Sequence, residues 1–457
     1  MGKNFNPDSL SDFARYYGFH YDRIDPYGLV DDVLVQMEEG LKGKTSCLPM
    51  IPAYISPVSK ITPGKTVIAL DAGGTNLRSA LLKFDEKGKA LILDSLKAPM
   101  PGSNEHVSKE EFFNEIAHLT KPHIEKAKNE NLSIEGIGFC FSYPMDITEN
   151  ADGILRMFTK EVDAPEVIGS VIGESLKAAL EAGGAKAPEK IILLNDTAAT
   201  LLSGLAEMPI HGGQRRVEDP YQIEAGPMLG FILGTGFNTA YPETCIPKIA
   251  FNSPDHPQIV VCESGSFAHR YMGILDKEFD QSTKNPGTYF LEKAASGAYL
   301  GPLTHLVMKQ ALSDGLFTFA KADEFISWPV LHTKDVNQFM HEPLSPGIVG
   351  DLFAKDEMEA KSSFMYLTSI VTERAALLSA GVLAAAMEKA CKNYHSLDPL
   401  IPVRVAVEGT TYAIYKGMRR ALEAHLHLMF TKRNPRSYAL AQVEQASLMG
   451  AAVAALA

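Results

Sequence analysis

Apolar and polar residues follow two different rhythms along this chain. Val30–Leu41 (VDDVLVQMEEGL) spaces its apolar positions for an amphipathic helix, and Pro49, Pro52, Pro57 and Pro63 then exclude a helix and predict an extended crossing segment. From Lys65 the pattern changes to strands. Val67–Leu70 and Leu77–Phe84 flank a tight turn at Asp71–Asn76, and a further apolar run occupies Ala90–Leu93. Glu110–Ala127 has helical periodicity, with Pro122 expected to kink or break it. Ile134–Ser142 is expected to be a strand, Ala164–Ala182 mostly helix, and Lys190–Asn195 a short strand that ends at Asp196. Strands alternating with helices predict an α/β sheet covered by helices. A second round begins at Leu229–Leu233, turns through the GTG at 234–236 and continues at Asn238–Tyr241, a faint internal repeat of the first hairpin. Helices dominate from Leu291 to about Met429, interrupted by a strand at Val403–Val407.

Three of the apolar runs end in a Gly-Thr turn: VIALDAGGTN (67–76), GFILGTGFN (230–238) and VRVAVEGTT (403–411). Glycine lets backbone N–H groups approach an anion, and threonine adds a hydroxyl donor, so the recurrence suggests a phosphate chain held between two halves of a molecule. The GxxxxGK[ST] phosphate loop is absent, and Phe237-Asn238-Thr239 follows the GTG where a dinucleotide fingerprint needs a third glycine. Read alone, DAGGTN has a second and less favoured reading, a tight hairpin turn with Asp71 capping its amides. Asp196 has two readings by position, an acid at a strand end where α/β crevices form, or the cap of a following helix.

Composition narrows the partners. The 457 residues are enough for two or three domains. A net charge of −12 argues against nucleic acid or an acidic membrane as the main partner, without excluding a phosphorylated ligand. Five scattered cysteines with no CxxC fit a reducing compartment and offer no zinc site. MGKNFNPDSL has no apolar signal core and misses the myristoylation pattern, and the apolar stretches Ala375–Met387 and Leu448–Ala457 are too short to span a bilayer. No membrane partner and a cytoplasmic location are therefore expected.

From about Met37 to the C-terminus, the ordered motifs resemble the hexokinase family within the actin-like ATPases and sugar kinases. They are LDAGGTNLR (70–78), GFCFSYP (138–144) with FTK (158–160), LNDTAATLLSG (194–204), GTGFNTAY (234–241), CESGSF (262–267), NPGTYFLEKAASGAYLG (285–301) and VEGTTY (407–412). The resemblance implies a two-lobed α/β fold of the actin-like (ribonuclease H-like) type. Residues 63–195 would form the small lobe and 196–440 the large one. Residues 1–62 would belong to the large lobe, and a final helix at 441–457 would return to the small lobe. It implies ATP-dependent phosphorylation of a hexose, most simply glucose at its 6-hydroxyl, as in the first step of glycolysis. Asp196 would be the base, and Ser142, Thr159, Lys160, Asn195, Asn238, Glu263 and Glu292 would bind the sugar. ATP would meet Asp71, Gly73, Gly74, Thr75, Asn76 and Arg78 at the first turn, Gly234, Thr235 and Gly236 at the second, and Gly409 and Thr410, with Tyr412 beside them, at the third. Asp71 would hold Mg²⁺ through water. Ser447 aligns with a nucleotide-side serine, yet Ala446-Ser447-Leu448-Met449-Gly450 lacks two of the three glycines of the family's Gly-Ser-Gly-x-Gly. The loop His211–Pro227 is longer than the family's usual connection and has no assigned role. Two rivals remain at this point, a hexose sensor without turnover and another actin-like ATPase. The intact Asp71, Arg78 and Asp196 speak against the first, and the joint presence of Ser142, Thr159, Lys160 and Glu292 against the second.

Overall fold

The apolar runs assemble into two sheets of matching plan. The structure is a computed structural model describing residues 5–57, 61–86, 88–158, 162–207, 226–250, 257–393 and 399–457. Among these residues the strands are β1 (Ile51–Pro52), β2 (Thr66–Ala72), β3 (Asn76–Phe84), β4 (Ala90–Pro99), β5 (Ile134–Phe141), β6 (Met145–Ile147), β7 (Gly153–Leu155), β8 (Ile191–Leu194), β9 (Met228–Leu233), β10 (Phe237–Glu243), β11 (Gln258–Val261), β12 (Val403–Glu408) and β13 (Tyr438–Gln442). One sheet has the order β4-β3-β2-β5-β8, the other β1-β11-β10-β9-β12-β13, and β6–β7 form a small ribbon. In the first sheet β3 lies antiparallel to both β2 and β4, while β5 runs parallel to β2 and to β8. In the second, β10 is antiparallel to β9 and β11, and β12 is parallel to β9 and β13. The repeat that the two Gly-Thr hairpins hint at therefore extends over five strands.

It also includes the helix after each last strand. Asp196–Glu207 follows β8, and Ala446–Ala454 follows β13. Each packs against the opposite sheet. A Cβ on Gly230 of β9 would lie 2.5 Å from the Thr197 carbonyl oxygen, and one on Gly138 of β5 would lie 1.7 Å from the Ala451 oxygen. The helices also cross each other closely, since a Cβ on Gly450 would meet the Ala199 oxygen at 2.0 Å. Missing side chains let backbone touch backbone, and an apolar cluster that includes Ala198, Leu201, Leu202, Ala451, Ala452 and Val453 fills the space between the sheets. Another cluster lies under the first sheet around Phe112, Phe139 and Leu176. The largest surrounds the helix Met358–Lys392. That helix is long and apolar enough to cross a membrane, but here it is buried protein core.

Several local expectations need correction. The helix Lys109–Asn129 runs through Pro122 unbroken. Pro122 is exposed, so the carbonyl it leaves unpaired can be hydrated, while Phe112, Phe113, Ile116 and His123 hold the opposite face in the core. Ala164–Ala182 divides into a single 3-10 turn, Pro165–Val167, and the helix Ile172–Ala182, because Gly169 adopts a φ of +83° between them. β4 extends to Pro99, beyond the apolar run at 90–93, because its partly exposed residues pair with β3 along its length. β11 and β13 are too short for periodicity to reveal, whereas the first helix, Pro7–Tyr17, does carry the signal, with Leu10, Phe13, Ala14 and Tyr17 at helical spacing. Most of the loop His211–Pro227, residues 211–225, lies outside the described residues.

Candidate active site

Strand ends and glycine turns from both sheets converge where the two crossing helices begin. β2 and β3 form the expected hairpin, with Asp71 directly opposite Arg78 and, on its other side, next to Cys140 of β5. The Gly73 amide is committed within the turn to the Asn76 carbonyl (3.0 Å), and the Asn76 amide side chain donates to the Thr75 hydroxyl (2.9 Å). That leaves the Gly74 and Thr75 end of the turn to meet an anion. Nothing in the protein requires glycine at 73, since its φ is not left-handed and an added Cβ would meet only the Asn76 oxygen, at 3.6 Å. The space over it is kept for something other than a side chain.

At β8 the two readings of Asp196 separate. Asn195 Oδ1 accepts from the Ala198 amide (2.8 Å), so Asn195 caps the helix and Asp196 is its first residue. Its carboxylate sits at the positive end of the helix dipole and accepts from the Thr197 hydroxyl (3.1 Å). Asn195, expected among the sugar ligands, therefore spends its oxygen on the cap, and its Nδ2 is the group left to face a ligand.

The sugar-side acids are held from β10. Asn238 Oδ1 accepts from the amides of Thr239 (2.8 Å) and Ser264 (3.1 Å), which fixes its Nδ2 to donate to Glu263 Oε1 (2.9 Å). Glu263 has a φ of +54°, a left-handed backbone rare for a side chain of this kind. Glu292, on the short helix Phe290–Ala295, accepts from the Phe237 amide (3.1 Å). Ser142 follows β5, and its amide donates to the Ala72 carbonyl (3.2 Å). Thr159 and Lys160 lie outside the described residues.

The second and third Gly-Thr turns touch. Gly409 has a φ of +126°, and a Cβ there would lie 2.3 Å from the Leu233 carbonyl, so only glycine lets this turn pass against Gly234. The Gly234 carbonyl accepts from the Gly297 amide (2.7 Å) and the Thr411 hydroxyl (2.8 Å), and its amide donates to the Gly236 carbonyl (3.0 Å). Thr235 and Thr410 are exposed at the two turn tips. Tyr412 is not at this border. It is buried, with its hydroxyl donating to Glu423 (2.6 Å). Ser447 lies in the first turn of the C-terminal helix, and the nearby Cys140 thiol, whose acidity burial strongly suppresses, approaches the Ser142 hydroxyl (3.9 Å).

Glu408, the residue before Gly409, escaped the sequence reading. It accepts from the Thr200 hydroxyl (3.0 Å), one helical turn beyond Asp196. Burial raises its carboxyl pKa, the Thr200 bond opposes that, Asp196 and Asp71 raise it further, and Arg78 lowers it. The acid directly before the third turn's glycine, VEGTT, was the available signal. Burial also pushes the Glu292 carboxyl up against the pull of the Phe237 amide. Glu263 is pushed to about 7, first by burial, with its Asn238 bond opposing and the charges of Asp196 and Glu292 adding. A carboxyl raised in this way stabilises the fold fully below its unfolded value and loses that contribution as pH rises through about 7. A ligand that needs the ionised form has the opposite dependence. A hexose that pairs with the ionised Glu263 should therefore bind about tenfold more weakly at pH 6 than at pH 8, and Glu263→Gln should flatten the profile. Calorimetry across this range checks it, and a flat wild-type profile would contradict the role given to Glu263.

The hexokinase family model matches residues 16–206 and a second hexokinase family model matches 228–457. Hexokinase-7 of Oryza sativa subsp. japonica is 28% identical over 430 residues, covering 90% of this chain and 89% of the relative. Hexokinase-2 of Saccharomyces cerevisiae is 26% identical over 412 residues, covering 84% and 78%. The solved structure of a hexokinase from Schistosoma mansoni complexed with glucose superposes with a TM-score of 0.74 at 22% identity, covering 99% of this chain and 100% of that one. The shared fold is the two-lobed, actin-like ATPase type.

Proposed function

Since the chain belongs to the hexokinase family and is a sugar-phosphorylating enzyme, we propose that it transfers the γ-phosphoryl group of ATP to the 6-hydroxyl of a hexose, with glucose preferred. The observation that carries this reading is the place of the Asp196 carboxylate, at the end of β8 and in the first turn of its helix, beside the Asn195 that caps it. Asn195 Oδ1 accepts from the Ala198 amide, and the acid next to it would orient a sugar hydroxyl and accept its proton as the bond to phosphorus forms. Glu263, Glu292, Asn238 and Ser142 would pair the remaining hydroxyls, with Asn195 Nδ2 and, from the segment not described, Thr159 and Lys160. A buried acceptor left without its hydroxyl is costly, which is how such a site would tell epimers apart.

The residues present suit a magnesium nucleotide. Asp71, Asp196 and Glu408 bear on one another electrostatically, with Arg78 the opposing charge. No group of three His, Cys, Asp or Glu among the described residues is placed to ligate an ion directly. That fits Mg²⁺, which usually keeps several of its waters, with Asp71 as the outer carboxylate. Bound there with ATP, the ion would neutralise charge on the phosphates. Around it the Gly74–Thr75 and Thr235 tips would donate to phosphate oxygens, and the Gly409–Thr410 turn would border the adenosine. Ser447, half-buried in the first turn of the C-terminal helix, would stand on the nucleotide side. A cytoplasmic enzyme opening glycolysis is the setting this chemistry suits.

A coupled assay of ADP release with glucose, mannose, fructose and galactose tests the reading. No turnover with any of them would defeat it and favour a sensor. Closure provides a second test. Ser142 belongs to the first sheet's strand ends, whereas Asn238, Glu263 and Glu292 belong to the second's, so one small sugar can satisfy both groups only if the lobes approach. Saturating glucose should reduce the radius of gyration in small-angle scattering, and ATP hydrolysis without sugar should be slow. An unchanged radius together with rapid sugar-independent hydrolysis would rule closure out.

A further inference from the structure

Glu292 stands on a helix of six residues, Phe290–Ala295, that begins at Tyr289 in a left-handed conformation without a side-chain cap. A helix so short does not hold itself in place. Its orientation must come from ties to the rest of the fold. At its C-terminal end the Gly297 and Ala298 amides donate to the carbonyls of Gly234 (2.7 Å) and Thr235 (3.1 Å). Glu292 itself accepts from the Phe237 amide, Leu291, Ala294 and Ala295 are buried in the core, and a further tie is the next residue, Lys293. Its ammonium is buried, donating to Asp280 Oδ1 (2.5 Å) and to the Asn285 carbonyl (2.7 Å). Asp280 in turn accepts from the Gly287 amide (2.9 Å to Oδ2). The exposed loop from Gln281 to Tyr289 is thus closed at its neck by one buried ion pair, directly beside a sugar-side carboxylate.

We propose that Asp280 and Lys293 are positioning residues for sugar binding, setting where the Glu292 carboxylate stands relative to the Phe237 turn. The inference rests on Glu292 being a sugar ligand. Two buried charges do not by themselves make a fold more stable, because their desolvation offsets most of their attraction. What this pair adds is geometry. Lys293 joins the helix to both the Asp280 helix and the loop carbonyl, so losing it loosens the helix on that side and lets the Glu292 carboxylate shift against its Phe237 bond. A displacement of about 1 Å at such a site can cost on the order of 10²-fold.

The test separates position from stability. In Asp280→Leu/Lys293→Met the charges are replaced together by apolar groups of similar size, and the exposed Asn285 and Gly287 can turn to water. The double variant should melt close to wild type while glucose Kd by calorimetry rises by about tenfold or more. A wild-type Kd in the folded double variant overturns the proposal. Should that variant not fold, Lys293→Arg keeps the charge but cannot place a planar head on both Lys293 acceptors. It should raise Kd by about tenfold, and an unchanged Kd overturns the proposal equally. Wild-type protein that bound no hexose would overturn the reading of the whole site, a result distinct from either.

Discussion

Asp196→Asn should bind glucose nearly as well as wild type and turn it over about 10²–10⁴ times more slowly. The amide is isosteric and still hydrogen-bonds to the sugar hydroxyl, but it cannot take the proton. The fold should tolerate the change because Asn195 caps the helix through the Ala198 bond at 2.8 Å and the amide of the variant keeps an oxygen that can accept from the Thr197 hydroxyl. Steady-state kcat, with glucose affinity by calorimetry and a thermal melt on the same protein, checks all three parts. Near wild-type kcat in a folded variant would remove Asp196 from the chemistry. A large drop in melting temperature would instead return it to a structural role.

The second large effect concerns stability. Arg374 on the central helix is almost fully buried and pairs with Asp276 through two bonds of 2.6 and 2.7 Å. Next to them is His269, which burial drives down to about 4 and so keeps neutral. Arg374→Met leaves the Asp276 carboxylate in the core with no countercharge, and such a break costs about 3–5 kcal/mol. Arg374→Met/Asp276→Leu should recover most of that loss, because apolar pairs of similar volume replace buried ion pairs at little cost. Urea unfolding monitored at the large-lobe core reads both variants. A single variant within about 1 kcal/mol of wild type would mean that the core supplies the carboxylate with water or another partner.

Much of the chemistry was legible because it depends on local backbone. Gly-Thr turns after apolar runs mark where amides can meet an anion, and all three occur at strand ends in the structure. Asp196 could be placed at the end of β8, but position alone left cap and base equally open. The structure gives the Ala198 bond to Asn195, and the family resemblance is what favours the base. Glu408 was missed because it looked like the last residue of a strand, and only its approach to Thr200, 208 positions away in sequence, makes it part of the site. Tyr412 was misplaced for the converse reason. Its neighbours in sequence border the turn, but its own buried ring directs the hydroxyl to the half-exposed Glu423 on the helix Met418–Arg433.

What this sequence determines by itself is the set of local elements and the kinds of chemical group they carry. Hydrophobic period, proline and glycine act over a few residues, which is the range over which a linear chain constrains itself. What only the tertiary structure decides is how distant pieces meet. The repeat was faint in sequence because only the turns need particular residues, whereas strand order follows from hydrogen bonds that many side chains permit. The crossing of the Asp196 and C-terminal helices depends on Gly138, Gly230 and Gly450, whose missing side chains mean nothing until the opposing backbone is in place. The acidity of Glu263 likewise comes from burial and from carboxylates brought in by other segments, Asp196 and Glu292. Those influences are long-range in sequence and short-range in space, so only the folded chain brings them to bear.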